Sequence, residues 1–393
     1  MAKVQPFRGC YYNAVNDLAD VVVSPDNFNA NDSQHPYGYY RLDFSQEHQR
    51  VRERLHRWFQ DGHLVQDEQP AFYVDVQHFF YHGQRFMRQD LFLSLDILDT
   101  AILSHEHTLA PMVEERYQLL ATTETHLSPL FLMYSDPNDL LQKRLQKAIV
   151  GSKPLLSLTH QGISHEVFRL CDPVLHQAVQ AHLEHQHFYI ADGHHRYAAA
   201  LAYARESTHS EGRYVLAYIT PMEGNGLVVL PYHRYITTGF DFPPWSTYLT
   251  ALSAAFEVEP LPDAHQSTIE AVLAQPERCW VMQKQDQAWR IEERHIDQSH
   301  LALDVLHQQI LEQLAGFSMG ATRSGKCLRF STDMAAVQYD LLTRGGVAFF
   351  VQPTPLTQLC ARAEAHQMMP PKSTYFYPKV PSGILFNRFS TAV

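Results

Sequence analysis

The sequence predicts a mixed α/β protein, and three observations carry the prediction. Short apolar runs alternate from end to end with stretches whose apolar residues recur at helical spacing. One stretch, Phe188 to Glu206, holds that alternation in miniature: strand, tight turn, helix. The chain of 393 residues also exceeds what one hydrophobic core usually serves, so two or three domains are expected.

Within FYIADGHHRYAAALAYARE, the run Phe188-Tyr189-Ile190-Ala191 is short enough for a buried strand, and Asp192-Gly193 breaks it. Tyr197, Ala200, Leu201 and Ala204 then recur at helical spacing in Ala-rich sequence. His194, His195 and Arg196 fall on the first helical turn. The N–H groups there lack intrahelical partners, and the helix dipole favours an anion. Imidazoles and a planar guanidinium fork beside those donors make a candidate phosphate site built from Asp192, Gly193, His194 and Arg196. The plainer alternative is an Asp N-cap followed by surface histidines.

Composition sets the outer bounds. Hydrophobic residues at 45% and charged residues at 19% describe an ordinary globular protein. A net charge of -11 argues against duplex nucleic acid as the main partner. The cysteines at 10, 171, 279, 327 and 360 are scattered and form no CxxC, which suits reduced thiols. No run approaches the ~18 apolar residues of a membrane span, and MAKVQPFRG lacks an apolar signal core. A cytoplasmic, membrane-free protein is the expectation. His182, His185 and His187 come near ligand spacing but lack a Cys or carboxylate companion, so no metal site is predicted.

In chain order, Asp20 to Pro25 reads as a strand ending at a turn. Residues 46–60 place Val51, Leu55, Trp58 and Phe59 on one helical face. Ala71–Val76 and Gln84–Arg88 read as neighbouring strands, and Leu91–Leu98 as an apolar run leading to His105-Glu106-His107-Thr108. Read as a strand, that HEHT piece sets His105 and His107 on one face and Glu106 and Thr108 on the other. A carboxylate facing a pocket can take a proton from a substrate hydroxyl, which makes Glu106 a candidate base. A strand end with solvated polar residues is the alternative.

Leu130–Tyr134 reads as a buried strand, and Asp139–Val150 as a helix stopped by Gly151. Leu155–Leu158 and Glu166–Leu170 form a hairpin, and Asp172-Pro173 opens a helix to about Leu183. Strands follow at Tyr214–Ile219 and Leu227–Leu230. His233 and Arg234 offer a second anion contact, or simply a basic pair at a strand exit.

Asp241-Phe242-Pro243-Pro244 is the predicted linker, dividing the chain into regions 1–239 and 240–393. Beyond it lie a helix at Trp245–Phe256 and strands at Cys279–Met282 and Trp289–Glu292. A helix from about Ala302 to Leu314, a strand at Gly345–Val351 and a helix at Pro355–His366 complete that region. In MPPKSTYFYPK, Lys372 and Ser373 can return a charge and a hydroxyl to a phosphate or a Mg²⁺, although no Gly-rich P-loop precedes them.

ADGHHRY before an Ala-rich helix resembles the signature of the domain-of-unknown-function-1015 family. So do VQPFRG at Val4–Gly9, HEHT, GSKPLL at Gly151–Leu156, PYHR at Pro231–Arg234, and MPPKSTYFYPK at Met369–Lys379. That family is similar to the ParB/sulfiredoxin-like group, in which the same turn holds nucleotide phosphates, and to free serine kinases. Three departures stand out. Ser24-Pro25-Asp26-Asn27-Phe28 occupies the place of the usual Pro-Tyr-Asp-Val run, the segment before Tyr37 is shorter, and Tyr232 replaces a Thr. Arg116 matches the Arg that follows HExT in the family.

The resemblance implies a ParB/sulfiredoxin-like nucleotide-binding core with a smaller C-terminal α/β region closing the site. It implies transfer of a phosphoryl group from ATP, ADP or pyrophosphate, with Mg²⁺, to a small hydroxylated metabolite, with free L-serine foremost. Glu106, His105 and His195 are then the catalytic candidates, and Asp26 or Asp43 are alternative bases. A DNA-binding partition factor is disfavoured by the acidic balance. A sulfiredoxin-type repair enzyme is disfavoured because His194 stands where the reactive Cys would be. A nucleotide- or phosphate-binding protein without catalysis is the alternative that the altered Ser24–Phe28 segment keeps open.

Overall fold

The computed structural model describes residues 3–13, 17–24, 35–43, 45, 47–297, 299–317 and 327–389. Two compact units emerge, Met1–Val228 with Pro378–Val393, and Val229–Tyr377. The chain therefore leaves the first unit before the 239/240 boundary expected from composition. His233–Ile236 pairs with Leu328–Ser331 and Val347–Val351, which makes it a strand of the second unit. The Asp241–Pro244 stretch lies inside that unit, where Phe240 and Phe242 pack on its core.

The first unit is built on a mixed sheet. Its strands are β1 (Val4–Gln5), β4 (Phe72–Tyr81), β5 (Gln84–Asp96), β6 (Ile102–Leu103) and β8 (Leu130–Tyr134). They continue with β9 (Leu156–His160), β10 (Ile163–Leu170), β11 (Phe188–Asp192) and β12 (Tyr214–Pro221). The order is β6-β11-β8-β12-β5-β4-β10-β9, with β1 added on β5. A smaller sheet sets β2 (Gly9–Tyr12) between β3 (Leu64–Gln66) and the late strand Phe386–Arg388, which also pairs β7 (Thr125–His126).

One face of the large sheet carries the apolar core. Val74, Leu91, Leu93, Leu132, Ala217 and Ile219 lie on it. Leu120 of α3 (Ala110–Thr123), Leu141 and Leu145 of α4 (Leu140–Ile149), Val179 and Leu183 of α5 (Pro173–Leu183), and Ala200, Tyr203 and Ala204 of α6 (His194–Glu206) cover it. Asp172 caps α5 by accepting from the Val174 N–H at 2.9 Å, which explains the start read from Asp-Pro. Earlier helices are α1 (Tyr40–Asp43) and α2 (His48–Gln60); α2 buries Val51, Leu55 and Trp58 as its periodicity requires.

The opposite face is polar yet equally buried. Asp75 Oδ2 accepts from His165 Nδ1 at 3.0 Å, Gln77 Nε2 at 2.9 Å and the Tyr218 hydroxyl at 2.9 Å. Arg88 pairs with Asp90 at 2.6 Å and donates to the Pro378 carbonyl at 2.9 Å. Low local dielectric strengthens such bonds and makes each partner costly to lose.

Two expectations fail here. The strand read from Asp20 onward is not formed: Asp20 closes a 3₁₀ turn, Leu18–Asp20, where the Asp17 carboxylate accepts from the Ala19 N–H at 2.9 Å, and among the described residues that follow, Val23 makes a single bridge to Ser382. HEHT is not a strand either. β6 ends at Leu103, and the chain bends at Glu106.

The second unit holds a six-stranded sheet, ordered Phe256–Pro260, Gln287–Glu293, Cys279–Lys284, Val347–Val351, His233–Ile236, Leu328–Ser331. Trp280, Met282 and Phe349 face one core, Val281 and Phe350 the other. The helix expected over Ala302–Leu314 is present as Ala302–Val305 continued by wider π turns over Leu306–Leu314. No helix among the described residues is long and apolar enough to cross a membrane.

Candidate functional site

Two parallel strands deliver the sequence-predicted site. β6 and β11 run side by side in parallel, with Ile102 opposite Phe188 and Leu103 opposite Tyr189. Their C-terminal ends therefore release HEHT and DGHHR at the same edge of the sheet. A register shift between Ile190 and Asp192 brings Asp192 opposite Phe131 of β8. Such a bulge re-aims a side chain, here the Asp192 carboxylate onto the polar face.

Gly193 makes the turn. It takes φ of +100°, and a Cβ built there would lie 3.0 Å from two guanidinium nitrogens of Arg196. The Arg196 side chain thus folds back over the start of its own helix and gives Asp192 Oδ2 a 2.6 Å bond. Lys379 Nζ meets the other oxygen, Oδ1, at 2.5 Å. Burial alone would raise the Asp192 carboxyl, but the Lys379 ammonium and the Arg196 guanidinium outweigh it and hold the group well below the usual carboxylate range.

The histidines divide the work. His194 is 7% exposed and His105 1% exposed, and their rings meet edge to face with centroids 4.7 Å apart. Burial, then the neighbouring His105, pushes His194 down to about 3, and burial pushes His105 down to about 4. Both are therefore neutral at pH 7, so His194 offers a hydrogen bond to an anion and not a charge. His194 Nδ1 lies 3.5 Å from Glu106 Oε2, and the Glu106 carboxylate is 27% exposed. His195 Nε2 accepts from the Leu109 N–H at 3.0 Å, fixing the start of α3 against α6. That contact places the His195 proton on Nδ1.

The positive charges at the turn come from Arg196 and Lys379. Lys379 was missed in the sequence, although it ends the quoted MPPKSTYFYPK stretch. The signal available was its position beside a proline in a motif shared with a family. Its ammonium is 9% exposed, and the Arg88 bond to Pro378 fixes the adjoining backbone.

Lys372 and Ser373 belong to the second unit. The Ser373 hydroxyl donates to the Pro370 carbonyl at 2.6 Å, and Lys372 Nζ lies 5.2 Å from the centroid of the Tyr232 ring. His233 and Arg234 belong there too. Arg234 is fully buried in a strand and donates to the carbonyls of Tyr232 and Lys372 and to His307 Nε2. Asp43, an alternative base, forms an ion pair with Arg116. Asp26, with Pro25, Asn27 and Phe28 of the altered segment, lies outside the described residues.

Below the turn, α3 and α6 face each other through matched sets: Arg116, Leu119 and Leu120 against Arg196, Ala199 and Ala200. These i, i+3, i+4 positions share one helical stripe. They line a half-open pocket of about 50 Å³, with Asp43 and Ser128 also on its wall.

The fold and this edge of the sheet define a mixed α/β protein whose strand–glycine–helix turn gathers two cations, a carboxylate and neutral imidazoles. The chain belongs to the family described as "Protein of unknown function (DUF1015)", whose model matches residues 4–306. Among solved structures it is similar to a free serine kinase determined in complex with ADP, at 10% identity and TM-score 0.41, over 72% of this chain and 87% of that one. A conserved hypothetical protein from Pyrococcus furiosus matches at 11% identity and TM-score 0.40, over 75% and 94% of the two chains. SbnI with a C-terminal truncation, from Staphylococcus aureus, matches at 12% identity and TM-score 0.40, over 74% and 85%. No curated protein matches the chain.

Proposed function

We propose that the chain is a phosphotransferase that moves a phosphoryl group from a nucleoside polyphosphate or pyrophosphate to a small hydroxylated metabolite, with L-serine as the first acceptor to test. The observation that carries the reading is the Asp192-to-Arg196 turn. There Arg196 and Lys379 converge at the start of α6, where N–H donors and the helix dipole already favour an anion. Phosphoryl transfer asks the protein mainly for positioning and charge neutralisation, which this arrangement supplies.

In the proposed reaction, the acceptor hydroxyl oxygen attacks the terminal phosphorus of the donor. One P–O bond forms as the bond to the leaving phosphate oxygen breaks, and the hydroxyl proton passes to the Glu106 carboxylate. Arg196 and Lys379 exchange part of their bonding with Asp192 for the phosphoryl oxygens, and neutral His194 donates a hydrogen bond. His105 acts through His194, as a positioning residue. Among the described residues, no group of three His, Cys, Asp or Glu is placed to hold a metal. Asp192 and Asp43 already answer cations, so the protein's own residues do not fit a resident Mg²⁺. Any Mg²⁺ arrives with the donor phosphates as part of the substrate, and no step is routed through it.

The test is direct. Purified protein incubated with L-serine and ATP, ADP or pyrophosphate, with Mg²⁺ in the buffer, should yield phosphoserine. A donor-dependent rise in melting temperature without product from any hydroxylated acceptor would replace the reading with that of a phosphate-binding protein.

A further inference from the structure

Lys379 has no sheet ladder to hold it. Residues 378–381 belong to no strand or helix, and they begin where the chain re-enters the first unit. A lysine ammonium rides on a flexible four-carbon stem, and a misplacement of about 1 Å at a reacting group can cost roughly 100-fold in rate. The prolines at 378 and 381 fix two φ angles but have no N–H with which to anchor the segment. An anchor comes from β5. Arg88 Nη2 donates to the Pro378 carbonyl at 2.9 Å, one residue before Lys379.

The same guanidinium is tied in two further directions. Arg88 and Asp90 are two apart on a strand and share its face, and Arg88 Nε meets Asp90 Oδ2 at 2.6 Å. Arg88 Cζ lies 5.1 Å from the centroid of the Phe131 ring. Phe131 is the residue opposite Asp192 in the pairing of β8 with β11. One planar group therefore touches both the backbone that carries Lys379 and the strand neighbour of its partner Asp192. A guanidinium can do this because its donors point in fixed directions from a rigid fork, whereas an ammonium is a single point of charge.

Stability alone does not account for the pair. The Arg88 and Asp90 side chains are 2% and 0% exposed. Removing two charges from water offsets most of their attraction, so an apolar pair of equal volume would hold the sheet as well. An apolar pair cannot hold a carbonyl at a set distance and direction.

Resting on the proposed function, we infer that Arg88 is a positioning residue for the phosphate-binding turn, with Asp90 setting its orientation. Arg88 fixes the backbone at Pro378 so that the Lys379 ammonium stands on Asp192 before the donor arrives. Lys379 touches the donor, and Arg88 acts through Lys379.

The test is a double-mutant cycle on the full chain, read as ADP affinity by calorimetry with Mg²⁺ in the buffer. Lys379→Met should weaken ADP binding about 10-fold, the scale of one lost charge-assisted contact. Arg88→Lys keeps a cation beside Asp90 but loses the fork, and it should weaken ADP binding roughly fivefold. The two together should bind ADP within about twofold of Lys379→Met alone, since nothing is left to position. Asp90→Asn, which keeps volume and an acceptor, runs the same cycle if Arg88→Lys does not fold. Losses that multiply, as separate structural damage would, overturn the inference, and so does wild-type affinity in a folded Arg88→Lys protein. Coupled losses without phosphoserine from the wild type keep the positioning role and remove the transfer reaction. Phosphoserine formation with independent losses does the reverse. A wild-type chain that binds no ADP overturns both.

Discussion

Two clusters in this molecule look alike in the sequence and differ in kind in the structure. DGHHR and PYHR each place His-Arg at the end of a strand. In the first unit, Arg196 sits on a helix start, a quarter exposed, and its carboxylate partner Asp192 also serves Lys379. In the second, Arg234 lies within a strand at zero exposure, and its donors end on the Tyr232 and Lys372 carbonyls and on His307. Burial pushes Arg234 down to about 9, the mark of a cation taken from water with no carboxylate among the described residues to answer it. The lesson is about donors. An arginine at a helix start keeps company with orphan N–H groups that an anion can share, whereas one inside a ladder is consumed by its own fold.

The largest effect should separate the two on stability. Arg234→Ala leaves a void and strips a donor from two carbonyls and an imidazole, so it should cost about 3–4 kcal/mol, while Arg234→Met, keeping volume and dropping the desolvated charge, should cost less than half of that. Chemical denaturation followed by tryptophan fluorescence suits the measurement, since Trp245, Trp280 and Trp289 all lie in that unit. A cost for Arg196→Ala as large as for Arg234→Ala would break the comparison.

Next in size is catalysis. Glu106→Gln should lower the phosphotransfer rate about 100-fold, some 2.7 kcal/mol of barrier, with donor affinity retained. If the rate is unchanged in steady-state assays, the base moves to Asp43 or Asp26.

Acid should then affect both clusters alike. His105 and His194 in one unit are pushed to about 4 and about 3, and His233 and His307 in the other to about 4 and about 3, in each case first by burial. Folded values below the ordinary 6.5 mean the unfolded chain binds protons first as pH falls. Stability is complete above about pH 6.5 and is lost toward pH 4, by roughly 2 kcal/mol per imidazole at pH 5. Melting curves between pH 8 and 5 check this, and a flat profile would mean that these rings are solvated.

The smallest expected effect is on affinity. Arg196→Ala should weaken donor binding about 10-fold, near 1.4 kcal/mol, with the fold intact. Arg234→Met should leave donor affinity unchanged in the same titration.

Much of the architecture was legible because local signals agreed. Leu130–Tyr134 is apolar throughout and wholly buried, Asp172-Pro173 caps and opens its helix, and the Asp-Gly break fixes the start of α6. Legibility stopped where buried residues are polar. Asp75, Gln77, Arg88 and Asp90 occupy core positions of β4 and β5, so the apolar pattern broke and β5 read as two short pieces instead of thirteen continuous residues. HEHT misled for another reason. Its apolar neighbours are a strand, but that strand ends two residues before His105, and element ends are the least readable feature of a sequence. Within the site, the DGHHR turn was visible from local pattern alone. Lys379 was not, since its pairing with Asp192 spans 187 residues of sequence.

The chain's return to the first unit bears on how the protein is made. Phe386–Arg388 fills the gap between β2 and β7 in the smaller sheet, and Lys379 arrives on the same returning segment. A ribosome synthesises the first 228 residues long before either piece exists, and at about 5–20 residues per second the wait lasts several seconds or more. During that interval β2 and β7 stand as unpaired edges, and Asp192 has lost one of its two cations. The nascent protein can finish the unit that began second before the unit that began first.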